Sequence, residues 1–219
     1  MEKMPYRSAD EPVSGIPVVD TPVDPNDWRT GLPTLTGSMV ILRELQLSDA
    51  PALHAALTTE EVSRFNLAPP TTVEGFERFI AWTHRQRAAG EYACFAIVPR
   101  NSATAVGLFH IRSLEPGFRA AEWRFALAEI CWGTGMFVDG ARLALDFVFA
   151  AIGAHRLEAR AALENGRGSG ALRKMGAVLE CVLRGSFLRR GEYLDQGLWT
   201  ILQEEWYEAK MVRGPRVIH

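Results

Sequence analysis

One turn constrains this chain more than any other: Trp132-Gly133-Thr134-Gly135, set between a strand-patterned segment and a helix-patterned one. Ahead of it, Ala121–Leu127 alternates, with Trp123, Phe125 and Leu127 on one side and Glu122, Arg124 and Ala126 on the other, which is the period of a strand. Behind it, Val138, Ala141, Leu145, Val148 and Ile152 recur at helical spacing until Gly153 stops them. A Gly-x-Gly turn that feeds a helix N-terminus lets backbone amides approach an anion, and the helix dipole favours negative charge there. His155–Ala161 follows as a second strand, and Asn165 leads into a helix from about Gly168 to Met175, ended by Gly176. The spacing predicts strand, phosphate-holding turn, helix, strand and helix.

The rest of the chain supplies the remaining layers. Prolines at 5, 12, 17, 22, 25 and 33 break any periodicity before Thr34, so residues 1–33 read as an extended arm. Ser38–Glu44 has a β pattern. Ser48 caps a short helix carrying Leu53 and Leu57, and Thr71 with Glu74 forms a capping-box pair for a longer one that presents Phe76, Phe79, Ile80 and Thr83. Tyr92–Val98 and Ala105–Ile111 are consecutive strands. Ala177–Phe187 and Gln196–Gln203 are two final strands around a loop at Leu188–Asp195. The expected architecture is α/β (α+β): a mixed, mostly antiparallel sheet of about seven strands with about four helices on its faces. The domain spans 34–207, and 208–219 is a tail.

Charge and composition exclude several function classes. A net charge of -2, with no basic run, argues against nucleic acid or an anionic membrane as partner. The most apolar helix, before Gly153, is interrupted by Asp139, Arg142 and Asp146, and no segment of signal-peptide type opens the chain, so the expected compartment is the cytoplasm. Cys94, Cys131 and Cys181 lack metal spacing and, lying in or beside strand patterns, read as buried free thiols, and the five histidines are scattered, so no metal site is expected.

Which phosphate-bearing molecule the turn holds depends on its flanks. A nucleotide-binding loop of Walker type needs Gly-Lys-Ser/Thr, and here Gly135 is followed by Met136 and Phe137. A dinucleotide fingerprint wants its third glycine where Val138 stands, and too little chain follows for a doubly wound sheet. Acyl-coenzyme A remains.

Taken in order, several segments resemble the GNAT N-acetyltransferase superfamily, most closely its branch of ribosomal-protein alanine N-acetyltransferases (RimJ/RimL-like). They are Ala121-Glu122-Trp123 with Leu127, Trp132–Gly135, His155–Ala159, Asn165 with Ser169, Leu172, Lys174 and Gly176, then Gly191-Glu192-Tyr193 with Asp195, and Leu202 with Glu205-Trp206. The resemblance covers about Leu35 to Trp206. It implies a sheet splayed between its fourth and fifth strands, with acetyl-CoA as co-substrate. Phe125, Ala126 and Leu127 would face the pantetheine arm, while Trp132, Gly133, Thr134 and Gly135 would surround the pyrophosphate. Asn165, Ser169 and Lys174 would complete the donor site. The alternative role for Asn165 is to cap the helix.

Acetyl transfer to an amine needs a neutral amine and a stabilised oxyanion, and no covalent enzyme intermediate. Glu122 is the first candidate base, with a structural Glu–Arg pair as its alternative role. Glu180 aligns with a glutamate placed near the acceptor amine in related enzymes. Glu158, alternating with Arg156 and Arg160, reads as part of a solvated ladder. Backbone amides around Ala126 would hold the oxyanion. Where related enzymes carry a tyrosine acid this chain has Leu172, and where the ribosomal branch has a serine it has Gly168, leaving Ser169 as the substitute acid. Phe65, Trp82, Arg85, Phe187, Arg189 and Arg190 would shape the acceptor site. The expected function is acetyl-CoA-dependent N-acetylation of a primary amine, a protein N-terminal α-amine being the branch's acceptor. A small-molecule or aminoglycoside acyltransferase, a user of succinyl-CoA, and a non-catalytic acyl-CoA-binding module are the alternatives. A homodimer is compatible with the fold.

Overall fold

A computed structural model describes residues 27–66 and 69–213, for Arg213 the backbone only. Most of the expected N-terminal arm, Leu67 and Ala68 of the Asn66–Pro70 loop, and the last six residues lie outside the described residues. One sheet organises the chain. Its strands are β1 (Leu35–Thr36), β2 (Val40–Glu44), β3 (Tyr92–Pro99), β4 (Gly107–Ser113), β5 (Ala120–Leu127), β6 (Arg156–Ala162), β7 (Val178–Arg189) and β8 (Glu192–Leu202), in spatial order β1-β2-β3-β4-β5-β6-β8-β7. The expected seven become eight because a two-residue strand, β1, pairs back on β2.

Every neighbouring pair is antiparallel except β5 and β6, which run parallel and pair only from Ala120–Glu122 to Arg156–Glu158. Beyond that point β5 keeps β4 as its neighbour through Leu127, β6 keeps β8 through Ala162, and the two part from each other. The expected splay is therefore present, and it opens beside Phe125–Leu127.

Helices cover both faces. On one lie α1 (Ala50–Leu57), α2 (Glu60–Ser63) and α3 (Val73–Ala88), burying Leu53, Leu57, Val62, Phe76 and Ile80 against the sheet. On the other lie α4 (Met136–Phe147), α5 (Gly166–Lys174) and α6 (Gln203–Arg213), which bury Ala141, Leu145, Leu172 and Trp206. Covering both faces explains why β3 reads as a continuous apolar run rather than an alternating one. The α3 cap is Thr72, one residue later than expected, accepting from the Gly75 amide at 3.0 Å.

The α4 helix sits close to the sheet because Gly140 faces it: a Cβ there would lie 3.0 Å from the Phe109 ring and 3.2 Å from Val40. One carboxylate fixes the helix in register. Asp139 accepts from the amides of Ser38, Met39 and Val40 at 3.1, 2.8 and 3.0 Å, and from the Ser38 hydroxyl at 2.8 Å. Gly37 leaves room for it, since a Cβ would come within 2.3 Å of the Asp139 carboxylate.

Two expected boundaries move. Trp28 is buried and meets Phe118 edge-on at 5.5 Å, so core packing begins before residue 34. The α6 helix crosses residue 207, anchored by the Trp206 indole on Asp146 at 2.8 Å, with Lys210 on the same carboxylate. The expected loop at 188–195 is instead a tight hairpin, because Arg190 and Gly191 take φ of 49° and 85°, the positive values of a two-residue turn.

Candidate active site

Backbone direction within β5 decides what faces the splay. The Ala128 amide donates to Val106 at 2.7 Å, so in this unbroken antiparallel register the amides of Ala126 and Ala128 point to β4. Those of Phe125 and Leu127 point into the gap. Of the amides around Ala126 expected to hold an oxyanion, its own is turned to β4 and those of its two neighbours are turned to the gap. The Leu127 carbonyl, on the same side, accepts the Trp132 indole N–H at 2.9 Å.

On the α4/α5 side the splay widens into a cleft of about 670 Å³. Of the expected donor-site residues, Phe125, Ala126, Leu127, Trp132, Gly133, Gly135, Asn165 and Lys174 line it; Thr134 and Ser169 do not. Gly133 and Gly135 take φ of 74° and 94°, which L-residues rarely adopt, and the amides of residues 133–135 have no acceptor among the described residues. Thr134 shapes the turn instead, its hydroxyl donating to the Cys131 carbonyl at 2.7 Å. Arg167, which the sequence reading passed over, holds its guanidinium 3.7 Å from the centre of the Trp132 ring. With Arg64 and Lys174 it gives the cleft three cations against Glu61 and Glu164. Free amides, two helix N-termini and surplus positive charge suit a phosphorylated ligand.

Asn165 caps α5, its Oδ1 accepting the Gly168 amide at 2.8 Å, while the residue still lines the cleft. Gly168 has to be small: a Cβ would lie 2.6 Å from Asn165 Nδ2. Ser169, the expected substitute acid, is buried and lines neither this cleft nor the second one described below.

On the α1/α3 side a second cleft, of about 630 Å³, shares four lining residues with the first, Phe125 and Ala126 of β5 together with Val62 and Asn66. Its floor is the row of side chains that alternation sends to this face: Leu108, His110 and Arg112 from β4, opposite Ala126, Arg124 and Glu122 from β5. Glu122 is only 2% exposed, and its oxygens accept from Arg112 at 2.9 Å, Arg124 at 3.0 Å and Arg160 at 3.1 Å. Burial alone would raise its pKa, but Arg124 and then the other guanidiniums outweigh this and hold it below the usual carboxylate value. A carboxylate paired with three cations is a poor proton acceptor, and this geometry favours the structural pair weighed beside the expected base at Glu122.

Glu180 is displaced from the chemistry as well. It forms a two-oxygen pair with Arg156 at 2.8 and 2.6 Å and accepts the Thr200 hydroxyl at 2.8 Å, which lowers its pKa to about 2. Arg156 also holds Glu158, at the closed end of the splay. Arg189 donates to the carbonyls of Ser63 and Arg64, and Arg190 pairs with Glu60, so these two pin the hairpin to α2 rather than offering charge to an acceptor.

His110, which the sequence does not single out, faces the second cleft. Its Nδ1 meets the Tyr92 hydroxyl, and burial, reinforced by Arg124, lowers its pKa to about 4. Because the folded value lies below the unfolded one, stability is greatest above about pH 6.5 and falls as pH drops toward 4. Replacing His110 with Gln is expected to narrow the stability gap to wild type by about 2 kcal/mol between pH 7 and pH 4.5, read by urea denaturation at both values.

A sheet opened between two parallel strands, with unpaired amides at residues 133–135 in one cleft and a second cleft joining it at Phe125 and Ala126, is a frame that can hold two ligands side by side. Comparison with known proteins gives the family. The model of the acetyltransferase (GNAT) domain matches residues 39–178, and the chain belongs to this family of acyltransferases. It is 23% identical over 174 residues to an uncharacterized N-acetyltransferase, p20, of Bacillus licheniformis, covering 79% of this chain and 98% of that one. A crystal structure of an acetyltransferase from T. thermophilus is 27% identical, with a TM-score of 0.68 over 84% of this chain and 97% of the other. Mycobacterium smegmatis RimJ in complex with CoA-disulfide shares the fold, at 20% identity and a TM-score of 0.72 over 78% and 88% of the two chains. Among the described residues no helix is long and apolar enough to cross a membrane, and no cluster of His, Cys, Asp or Glu is gathered as for a metal ion.

Proposed function

We propose that this protein transfers the acetyl group of acetyl-CoA directly to a primary amine, with donor and acceptor bound together. The observation that carries the reading is the meeting of the two clefts at Phe125 and Ala126 on the open edge of β5, with Val62 and Asn66 closing over the junction. The diphosphate would lie against the amides of residues 133–135, near Arg167 and Lys174. The pantetheine arm would follow the open edge of β5, bringing the thioester carbonyl to the Phe125 and Leu127 amides. From the other face the amine nitrogen attacks the carbonyl carbon, forming the C–N bond. Collapse of the tetrahedral intermediate breaks the C–S bond and releases the thiolate of coenzyme A, and the amine's proton passes to solvent.

Glu122 has no proton-transfer duty in this scheme. An α-amine, with a pKa of about 8, supplies enough neutral nucleophile near neutrality, and a thiolate of pKa about 8.5 leaves without an acid. The chemistry therefore favours an α-amine, as at a protein N-terminus or on an amino acid, over a lysine side chain. A cytoplasmic setting and a homodimer are part of this proposal.

Two measurements test it. Thiol release from acetyl-CoA should depend on an added amine, and mass spectrometry should find that amine heavier by one acetyl group. Acetyl-CoA binding without turnover on any amine would instead favour a non-catalytic binding module. Arg167→Ala, which removes both the cation and its stacking on Trp132, should weaken coenzyme A binding about tenfold by calorimetry.

A further inference from the structure

We infer that the acceptor is an amine with an aromatic or large apolar body and an anionic group, and that polyamines and aminoglycosides are poor substrates; this rests on the N-acetyltransferase reading above. The walls of the acceptor cleft supply the first half. Phe79 and Trp82 stack at 6.2 Å, and Trp82 meets Tyr92 edge-on at 4.9 Å, giving a continuous aromatic surface along α3 and β3. Trp82 is 38% exposed although it lines the cleft, so its indole still has area for a ligand to cover. An aromatic or branched apolar group fits such a wall, whereas a methyl leaves most of it wet.

The floor supplies the second half. The charged groups that line this cleft among the described residues are Arg112, Arg124 and Glu122, with His110 neutral beside them. Two guanidiniums against one carboxylate leave a surplus positive charge, which repels a polycation and attracts an anion. Arg112 is the group with capacity to spare. Its side chain is 52% exposed, and Glu122 is its one acceptor among the described residues, although a guanidinium carries five N–H donors. Arg124 and Arg112 sit level with residues one and two pleat repeats from Ala126, about 7 and 14 Å along the strand. A free amino acid would bring its carboxylate toward Arg124, and a peptide with an acidic second or third residue would bring its side chain toward Arg112. The shared chemistry is an amine, an apolar body and an anion held apart by a short spacer.

Initial rates of thiol release test this with phenylalanine, phenylalaninamide, alanine, Phe-Asp-Gly-amide, Phe-Lys-Gly-amide, Ala-Asp-Gly-amide, spermidine and kanamycin. The anionic aromatic acceptor should exceed both its uncharged or cationic counterpart and its alanine counterpart by about tenfold in kcat/KM. An effect with phenylalanine identifies a free amino acid as the source, and an effect confined to the peptides identifies a chain N-terminus. Among the peptides Arg112→Gln should remove the preference for the anion and Arg112→Lys should retain most of it, for phenylalanine Arg124→Gln should remove it, and Trp82→Ala should remove the aromatic preference, each mainly through KM. Equal or faster rates with spermidine, kanamycin or the alanine compounds overturn the inference and leave N-acetylation standing. So does a folded Arg112→Gln variant that keeps the peptides' preference, or a folded Arg124→Gln variant that keeps the preference for phenylalanine. Silence from every amine while acetyl-CoA binds removes the N-acetyltransferase reading and this inference with it.

Discussion

Replacing Glu122 with Gln is expected to lower stability by about 3–5 kcal/mol, because it strands positive charge that was paired across the sheet. The carboxylate is 2% exposed and holds Arg112, Arg124 and Arg160 at once. It also lies directly opposite Glu158, and two like charges in that register are tolerable only with guanidiniums beside them. Urea denaturation at pH 7 measures the loss. Activity separates this role from catalysis: per folded molecule, turnover should fall less than tenfold, whereas losing a general base costs about 10²–10⁴-fold. A second change, Arg124→Met, should recover part of the stability by removing surplus charge. The sign with pH follows from the lowered pKa of Glu122. Its stabilisation is complete above the unfolded carboxylate value, about 4.3, and disappears as pH falls through the folded one. The Gln variant should therefore lose less stability on acidification than wild type.

Asp139→Ala is the second large effect, about 2–4 kcal/mol, since four hydrogen bonds to one carboxylate vanish and three amides at the start of β2 lose their acceptor. Burial pushes the Asp139 pKa up, but the amides of Met39, Ser38 and Val40 and the Ser38 hydroxyl more than offset this and leave it lowered. Its contribution is thus also lost in acid. Asp139 is one helical turn from Gly135, so the damage should reach the anion cradle. The expected result is a lower Tm together with weaker coenzyme A binding, whereas Gly140→Ala, which strains the packing without touching the clamp, should act mainly on Tm.

The cleft expected to take the donor is legible in the sequence because it is local. Gly133, Gly135 and Asn165 sit at junctions between a strand pattern and a helix pattern, and eight of the ten residues expected there line one cleft. Thr134 and Ser169 fall outside its lining, since proximity in sequence does not say which way a small hydroxyl turns. The second cleft depends on pairing between distant strands. That Glu122 meets Arg112 and Arg160 follows from the β4–β5–β6 register, which alternation within β5 does not contain. His110 was hidden likewise, for its meaning comes from Tyr92 on β3 and Arg124 on β5. Asp139 looked like an interruption of an apolar helix, and its partners lie about a hundred residues away. The two-residue hairpin at Arg190–Gly191 was missed because a non-glycine residue supplies one of its positive φ values.

The tight fit between Gly168 and Asn165 couples the two positions. The RimJ/RimL-like branch that the sequence resembles carries a serine where Gly168 stands and keeps the asparagine three residues before it, so the two side chains coexist there. Here a Cβ at 168 would lie 2.6 Å from Asn165 Nδ2, the far end of a flexible side chain, which has to turn aside to admit it. The same side chain holds the Gly168 amide at the start of α5, so that turn exchanges capping for space. The cost of a side chain at 168 is therefore set by the rotamer at 165, and a library that varies both positions jointly measures that coupling where one-at-a-time scanning does not.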